Sequence, residues 1–238
     1  MRILLLEDNR VGLHVTRHLA DLGEDVIGLC LHPDDCENLG PEIVEASGLA
    51  PSQIWVASSE WSEQQLSMVR DLKPDLVLVV FWSFLLPPEF LRIPTAGCIN
   101  FHLSYLPYNR GKKPNVWPIL DGTPAGVSLH MIDEVIDSGP IVARQEVEVE
   151  PYDTAETLYR RLVIEVEDLF ERTWPSIRDG QLDLIAQEPG AGTFHLDQEM
   201  ADYEVIKLDQ MYRASDLINL LRARTFQPHP AAYFSHEG

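Results

Sequence analysis

The sequence predicts an α/β fold: a mostly parallel, twisted, Rossmann-like sheet with a small C-terminal subdomain. Three observations carry that expectation. Short aliphatic runs, above all Ile3-Leu4-Leu5-Leu6 and Leu76-Val77-Leu78-Val79-Val80, read as strands buried on both faces. Stretches with helical spacing separate them, so strand and helix alternate as a parallel sheet with right-handed crossovers requires. From about residue 180 the alternation gives way to short apolar runs, which marks residues 181–238 as an appended subdomain on a core of residues 1–180.

In chain order, residues 2–7 form the first strand. Val11, Val15, His18, Leu19 and Leu22 mark a helix over 10–22 that Gly23 stops. Asp25–Leu31 is the second strand. Residues 34–47 read as a loop and a short helix, Gln53–Ala57 as a third strand, and Ser62–Leu72 as a helix. Asp75–Phe81 is the clearest buried strand. Phe81-Trp82-Ser83-Phe84-Leu85-Leu86 follows it, an aromatic loop that suits either core packing or a flat ligand wall. Gly97–His102 is a further strand, Val116–Leu120 a helical turn or two, Ala125–Ile132 a strand, and Pro140–Val149 a half-exposed one. A long amphipathic helix begins near Asp153, with Leu158, Leu162, Val166, Leu169, Phe170 and Trp174 on one face; Pro175 ends or kinks it. Another helix covers Ser215–Arg224.

Composition narrows the function. The chain has 238 residues, 38 acidic against 18 basic, and a formal net charge of -20. Such a field repels phosphate backbones and anionic lipid, so neither nucleic acid nor a membrane is expected as partner. The opening apolar run is too short for a signal peptide or a span, which predicts a cytoplasmic protein. Cys30, Cys36 and Cys98 form no CxxC pair. The first strand is followed by Glu7-Asp8-Asn9-Arg10-Val11-Gly12, with acids where a dinucleotide's pyrophosphate would sit and no G-x-G-x-x-G, so NAD is not expected. The histidines lack H-E-x-x-H spacing, and no metal is expected either.

The chemistry gathers around residues 97–114. Strand alternation puts Asn100 and His102 on one face, and a loop containing Arg110, Lys112 and Lys113 follows. Asp137 lies in an acidic turn between two strands of the same expected sheet. Histidine can exchange a proton near neutral pH, an amide can stabilise an oxyanion, and a carboxylate can support the imidazole. That set suits acyl transfer to a nucleophile brought by the substrate, since no enzymic nucleophile stands out. A deacylase that activates water, or a non-catalytic binding module, would use the same fold.

Asn100-Phe101-His102, Ser104, Leu106-Pro107 and Arg110-Gly111 resemble the signature of the 10-formyltetrahydrofolate-dependent formyltransferases. So do Gly126 to Asp133 and Ile136-Asp137-Ser138-Gly139-Pro140-Ile141, and the resemblance covers roughly residues 1–175. It implies Asn100, His102 and Asp137 as catalytic residues and 10-formyltetrahydrofolate as donor. The pterin would meet backbone at Phe84, Leu85 and Leu86 and at Val135 and Ile136.

Two further stretches, Pro107 to Trp117 and Leu221 to Pro230, resemble the sugar N-formyltransferase branch, with Gln227 where proline is more usual. The acceptor this implies is a nucleotide-linked amino sugar for surface polysaccharide such as O-antigen, with dTDP or GDP as carrier and a 4-amino-4,6-dideoxyhexose as sugar. Arg110, Lys112 or Lys113 would hold the diphosphate, or the basic loop is merely solvated. Tyr108 or Asn109 would contact the sugar, and Trp117 lies in the same stretch. Phe226 and Tyr233 would stack on the base or pack the subdomain. The resemblance also implies a homodimer formed through the C-terminal segment, with a further strand expected after Glu237-Gly238. The methionyl-tRNA and glycinamide ribonucleotide branches, and formyltetrahydrofolate hydrolysis, are the alternatives. A basic β-barrel expected of the tRNA branch is not evident in the last sixty or so residues.

Overall fold

A computed structural model describes residues 1–33, 39–58 and 60–235. Cys36, the start of the loop expected over 34–47, and the terminal Glu237-Gly238 lie outside the described residues. The elements run β1 (Arg2–Glu7), α1 (Arg10–Asp21), β2 (Asp25–Leu31), α2 (Gly40–Ser47), β3 (Ile54–Val56), α3 (Glu63–Leu72), β4 (Leu76–Val80), α4 (Pro88–Leu91) and β5 (Cys98–His102). Then come β6 (Arg110–Gly111), α5 (Trp117–Asp121), β7 (Ala125–Met131), β8 (Ile141–Val147), α6 (Ala155–Arg178), β9 (Phe194–His195) and α7 (Ala214–Ala223). Seven strands form one sheet in the order β3-β2-β1-β4-β5-β7-β8, and β6 pairs with β9 in a second, two-stranded sheet. β1, β2, β3, β4 and β5 pair in parallel.

The chain forms two compact units. The first comprises residues 1–101, 129–143 and 167–186; the second comprises 102–128, 144–166 and 187–238.

In the first unit, β1 lies at the centre because Ile3 to Leu6 are apolar on both faces, and all four are completely buried. Asn9 caps α1, its Oδ1 accepting from the backbone N–H of Val11 at 2.9 Å and Gly12 at 3.2 Å. Ser62 and Gln65 form a capping box on α3. Pro175 does not end α6, which runs on to Arg178 before Gly180 turns at a φ of 66°. Trp174 is anchored by its indole N–H, which donates to Glu24 Oε1 at 2.9 Å.

The acidic turn after β1 is filled from within. Glu7 is completely buried and accepts from the Thr16 hydroxyl. A Cβ on Gly12 would lie 2.7 Å from the Glu7 Cβ, so only glycine leaves the carboxyl its space. Burial lifts the Glu7 carboxyl to about 8, with the Thr16 hydrogen bond opposing and Asp8 adding to the rise. The folded protein therefore keeps a proton that the unfolded chain gives up above about 4.5. Stability contributed by this group falls as pH climbs from about 4.5 to about 8 and is gone above that. Glu7→Gln, neutral at every pH, should gain on the wild type by up to a few kcal/mol across this window. Melting temperatures of the two proteins at several pH values check this; parallel curves would contradict it.

The second unit is knit by buried polar groups. Asp153, 1% exposed, accepts from Arg161 Nη1 at 2.6 Å, and Arg222 donates to the carbonyls of Asp153 at 2.6 Å and Glu150 at 2.7 Å. β6 reaches β9 closely: a Cβ on Gly111 would stand 2.2 Å from the His195 carbonyl oxygen. Among the described residues no helix is long and apolar enough to cross a membrane.

Candidate active site

In the first unit the site is built from β5, β7 and the turn after β7. β5 packs in register on β4, with Val79 opposite Asn100. Phe101, buried, points into the core against Phe170, with ring centroids 5.2 Å apart. Alternation then turns Asn100 to the other face, and its Nδ2 lies 3.0 Å from His130 Nε2. His130, 1% exposed, was quoted within a motif but not expected at the site. Its Nδ1 lies 2.9 Å from the Met131 carbonyl, an acceptor only, so Nδ1 carries the proton in the neutral ring. Nε2 then accepts from the Asn100 amide, and the second amide hydrogen of Asn100 is left to serve a ligand.

Asp137 Oδ1 is 3.5 Å from the same His130 nitrogen. The turn that carries it is self-supporting. Asp133 Oδ1 accepts from the Val135 N–H at 3.0 Å and the Ser138 hydroxyl at 2.9 Å, while Asp137 takes a φ of 52°. Gly139 is required as the chain returns, because a Cβ there would lie 1.9 Å from the Met131 carbonyl oxygen. Asn100, His130 and Asp137 thus form one polar row, with Nε2 of His130 between an amide and a carboxylate.

The surroundings suit an apolar heterocycle. Leu85 is 73% exposed, Val135 65% and Ile136 44%, while Trp82, Phe84, Leu86 and Ile132 pack on one core cluster. These loops follow β4 and β7.

His102, two positions beyond Asn100 on β5, opens the second unit and is buried. Its Nε2 donates to the Asn109 carbonyl at 3.2 Å, which makes Nδ1 the proton-accepting nitrogen of the neutral ring. Asn109 is locked for that purpose. Its Nδ2 donates to the Pro124 carbonyl at 3.2 Å, and its Oδ1 accepts from the hydroxyls of Thr123 at 3.0 Å and Thr193 at 3.1 Å. The side chain expected to meet a sugar is wholly buried and holds the carbonyl that orients His102.

The other expected acceptor residues divide. Trp117 is 1% exposed, stacks on His195 at 3.9 Å and donates to the Lys112 carbonyl at 2.8 Å, so it is part of the packing. Tyr108 is half-buried and Lys112 exposed. Arg110 Nη2 donates to the Ala191 carbonyl at 3.0 Å, while its buried Nε–H has no partner among the described residues. Lys113 and Phe226 line a cavity of about 270 Å³ together with Asn115, Tyr159, Arg224 and His229. Phe226 meets the Tyr159 ring at 5.2 Å and the His229 ring edge-on at 5.2 Å. Tyr233 is half exposed, its backbone bridging to Val205.

Arg224 was not expected at the site. It is 9% exposed, donates through Nη2 to the Pro230 carbonyl at 3.1 Å, pairs with Glu204 at 3.6 Å, and buries an Nε–H for which no acceptor lies among the described residues. Arg224 also lines the same cavity.

Comparison with known proteins bears on the fold and the family. The chain is 27% identical over 244 residues to a methionyl-tRNA formyltransferase of Alkaliphilus oremlandii, covering 100% of this chain and 77% of the relative. It superposes on a sugar N-formyltransferase from Shewanella sp. FDAARGOS_354 with a TM-score of 0.84 at 21% identity, covering 99% and 93% of the two chains; this likeness is one of fold. The formyltransferase PseJ of Anoxybacillus kamchatkensis, solved with UDP-4,6-dideoxy-4-formamido-L-AltNAc and tetrahydrofolate, matches with a TM-score of 0.66 at 25% identity over 94% and 98%. An N-formyltransferase dimerization C-terminal domain matches residues 199–238. The formyl transferase family matches residues 18–172, well over half of the sequence, and the chain belongs to that family as a formyl-transferring enzyme.

Proposed function

We propose that the enzyme transfers a formyl group from 10-formyltetrahydrofolate to the amine of a nucleotide-linked amino sugar, in the service of surface polysaccharide synthesis. The observation that carries the acceptor is the cavity lined by Lys113, Arg224, Tyr159 and Phe226. Lys113 and Arg224 bring cations to it, and Phe226, Tyr159 and His229 bring aromatic faces. In a chain of net charge -20, such a pocket suits a compact diphosphate beside a base better than an extended polyanion. The PseJ relative, solved with a UDP-sugar, supports the same acceptor class. The tRNA reading rests on relatives such as the Alkaliphilus protein.

The donor supplies an activated formyl carbon. Asn100 donates its second amide hydrogen to the formyl oxygen as charge builds there. His102, neutral with its proton on Nε2, accepts the proton of the attacking amine at Nδ1. Asp137 supplies a carboxylate that favours positive charge at the site. As the tetrahedral adduct collapses, the bond from the formyl carbon to the folate nitrogen breaks, and that nitrogen takes up the proton to leave as tetrahydrofolate. Phe84, Leu85, Leu86, Val135 and Ile136 form the donor's surroundings. The exposed Met211, Ile218, Leu221 and Phe234 fit a homodimer made through the C-terminal segment.

Titration of dTDP, GDP, UDP and methionyl-tRNA into the protein by calorimetry tests the acceptor. A nucleoside diphosphate should bind, and Arg224→Met should weaken it about tenfold or more, the value of a charge-assisted bond. Tight tRNA binding with no nucleotide binding would overturn the reading.

A further inference from the structure

Three consecutive residues of the loop after β4 engage one histidine at the end of β2. Ser83 Oγ lies 2.6 Å from His32 Nε2. The Phe84 ring stacks on the imidazole at 4.3 Å and 28°, and the Trp82 ring meets it edge-on at 5.1 Å and 82°. His32 is 7% exposed, and its Nδ1 stands 3.7 Å from Asp8 Oδ2. In the sheet β1 separates β2 from β4, so the loop reaches across the carboxyl end of β1 to make these contacts. That edge, where strand order reverses between β1 and β4, is where open α/β sheets receive ligands.

The grip is demanding on the backbone. Phe81 leaves β4 with a φ of 53°, a left-handed conformation that a bulky residue keeps only when its surroundings hold it there. The carboxylate of Asp8 on the Nδ1 side favours a proton on Nδ1, so Nε2 accepts from the Ser83 hydroxyl. Asp8, His32 and Ser83 are the residue types of a nucleophilic triad. The 3.7 Å between Asp8 and His32 exceeds hydrogen-bond length, however, and the imidazole is boxed by two rings. The cluster is built to hold a loop.

We propose that His32 is a positioning residue for the formyl donor. It fixes residues 81–86 so that the backbone of Phe84 to Leu86 is preset to meet the donor's heterocycle. This rests on the reading that this loop receives the folate. Preset backbone improves donor binding because the ordering cost is met before the ligand arrives. It leaves the reacting groups on β5 untouched, so its loss should act on one Michaelis constant alone.

The test uses Ser83→Ala, which removes one hydroxyl from an exposed residue, and His32→Gln. Each should raise the donor KM about tenfold, the worth of one hydrogen bond, with kcat and acceptor KM within about twofold of wild type. Ser83→Thr should restore the donor KM. A second readout needs no folate: the fluorine NMR signal of 5-fluorotryptophan at Trp82, assigned with Trp82→Phe, should sharpen and move towards a solvent-exposed shift in Ser83→Ala. An unchanged donor KM, an unchanged fluorine signal, or equal losses in kcat and both Michaelis constants would overturn the proposal. If the wild type binds no folate, the donor reading fails, and the fluorine signal still decides whether His32 orders the loop.

Discussion

His102→Ala should lower kcat by about 10²–10⁴-fold, the usual worth of a positioned general acid or base. The histidine is buried, and its Nε2 donates to the Asn109 carbonyl, which holds the ring for Nδ1 to act as the proposed base. In the proposed function the acceptor is held by Lys113, Arg224 and Phe226, residues that line the cavity rather than β5, so acceptor KM should stay within about threefold. Steady-state kinetics with both substrates varied checks this. Wild-type kcat in the variant would remove His102 from the chemistry. Asn109→Ala should reproduce part of the loss. It leaves the backbone carbonyl in place but releases the three side-chain hydrogen bonds that aim it.

Asn100→Ala should cost about 10²–10³-fold in kcat, as removal of one oxyanion donor does. Asn100→Asp should be worse than alanine. It replaces a donor with a negative charge where negative charge develops, and it sets an acceptor against the Nε2 of His130 that now accepts from the amide. Rapid-quench measurement of the chemical step in both variants checks the order. Equal rates for alanine and aspartate would mean that Asn100 does not face the developing charge.

The strands of the large sheet were legible because long aliphatic runs leave few alternatives: Ile3 to Leu6 and Leu76 to Val80 can only be buried on both faces. The pairing of Arg110-Gly111 with Phe194-His195 was not legible. Two residues carry no periodicity, and the pairing depends on the missing Cβ of Gly111 above the His195 carbonyl. Asn100 and His102 stood out as a polar pair in an apolar strand. His130 did not, because its neighbour Asn100 is thirty residues away and β6 and α5 intervene between their strands. The sequence left open which members of the basic stretch would meet the acceptor and which are merely solvated, and the fold gives several of them separate surroundings. Asn109 orients His102, Trp117 stacks on His195, and Lys113 reaches the cavity. Arg224 lies inside the Leu221 to Pro230 stretch, but its place beside Lys113, Tyr159 and Met200 at one cavity exists only in the fold.

The central claim is direct formyl transfer to a nucleotide-linked amino sugar. The most direct measurement incubates the protein with 10-formyltetrahydrofolate and a panel of dTDP-, GDP- and UDP-linked amino sugars, methionyl-tRNA and glycinamide ribonucleotide, with products followed by mass spectrometry. A formyl mass is expected on at least one amino sugar, lost in His102→Ala, and none on the tRNA or the ribonucleotide. Formylated tRNA or ribonucleotide with every sugar unchanged would contradict it.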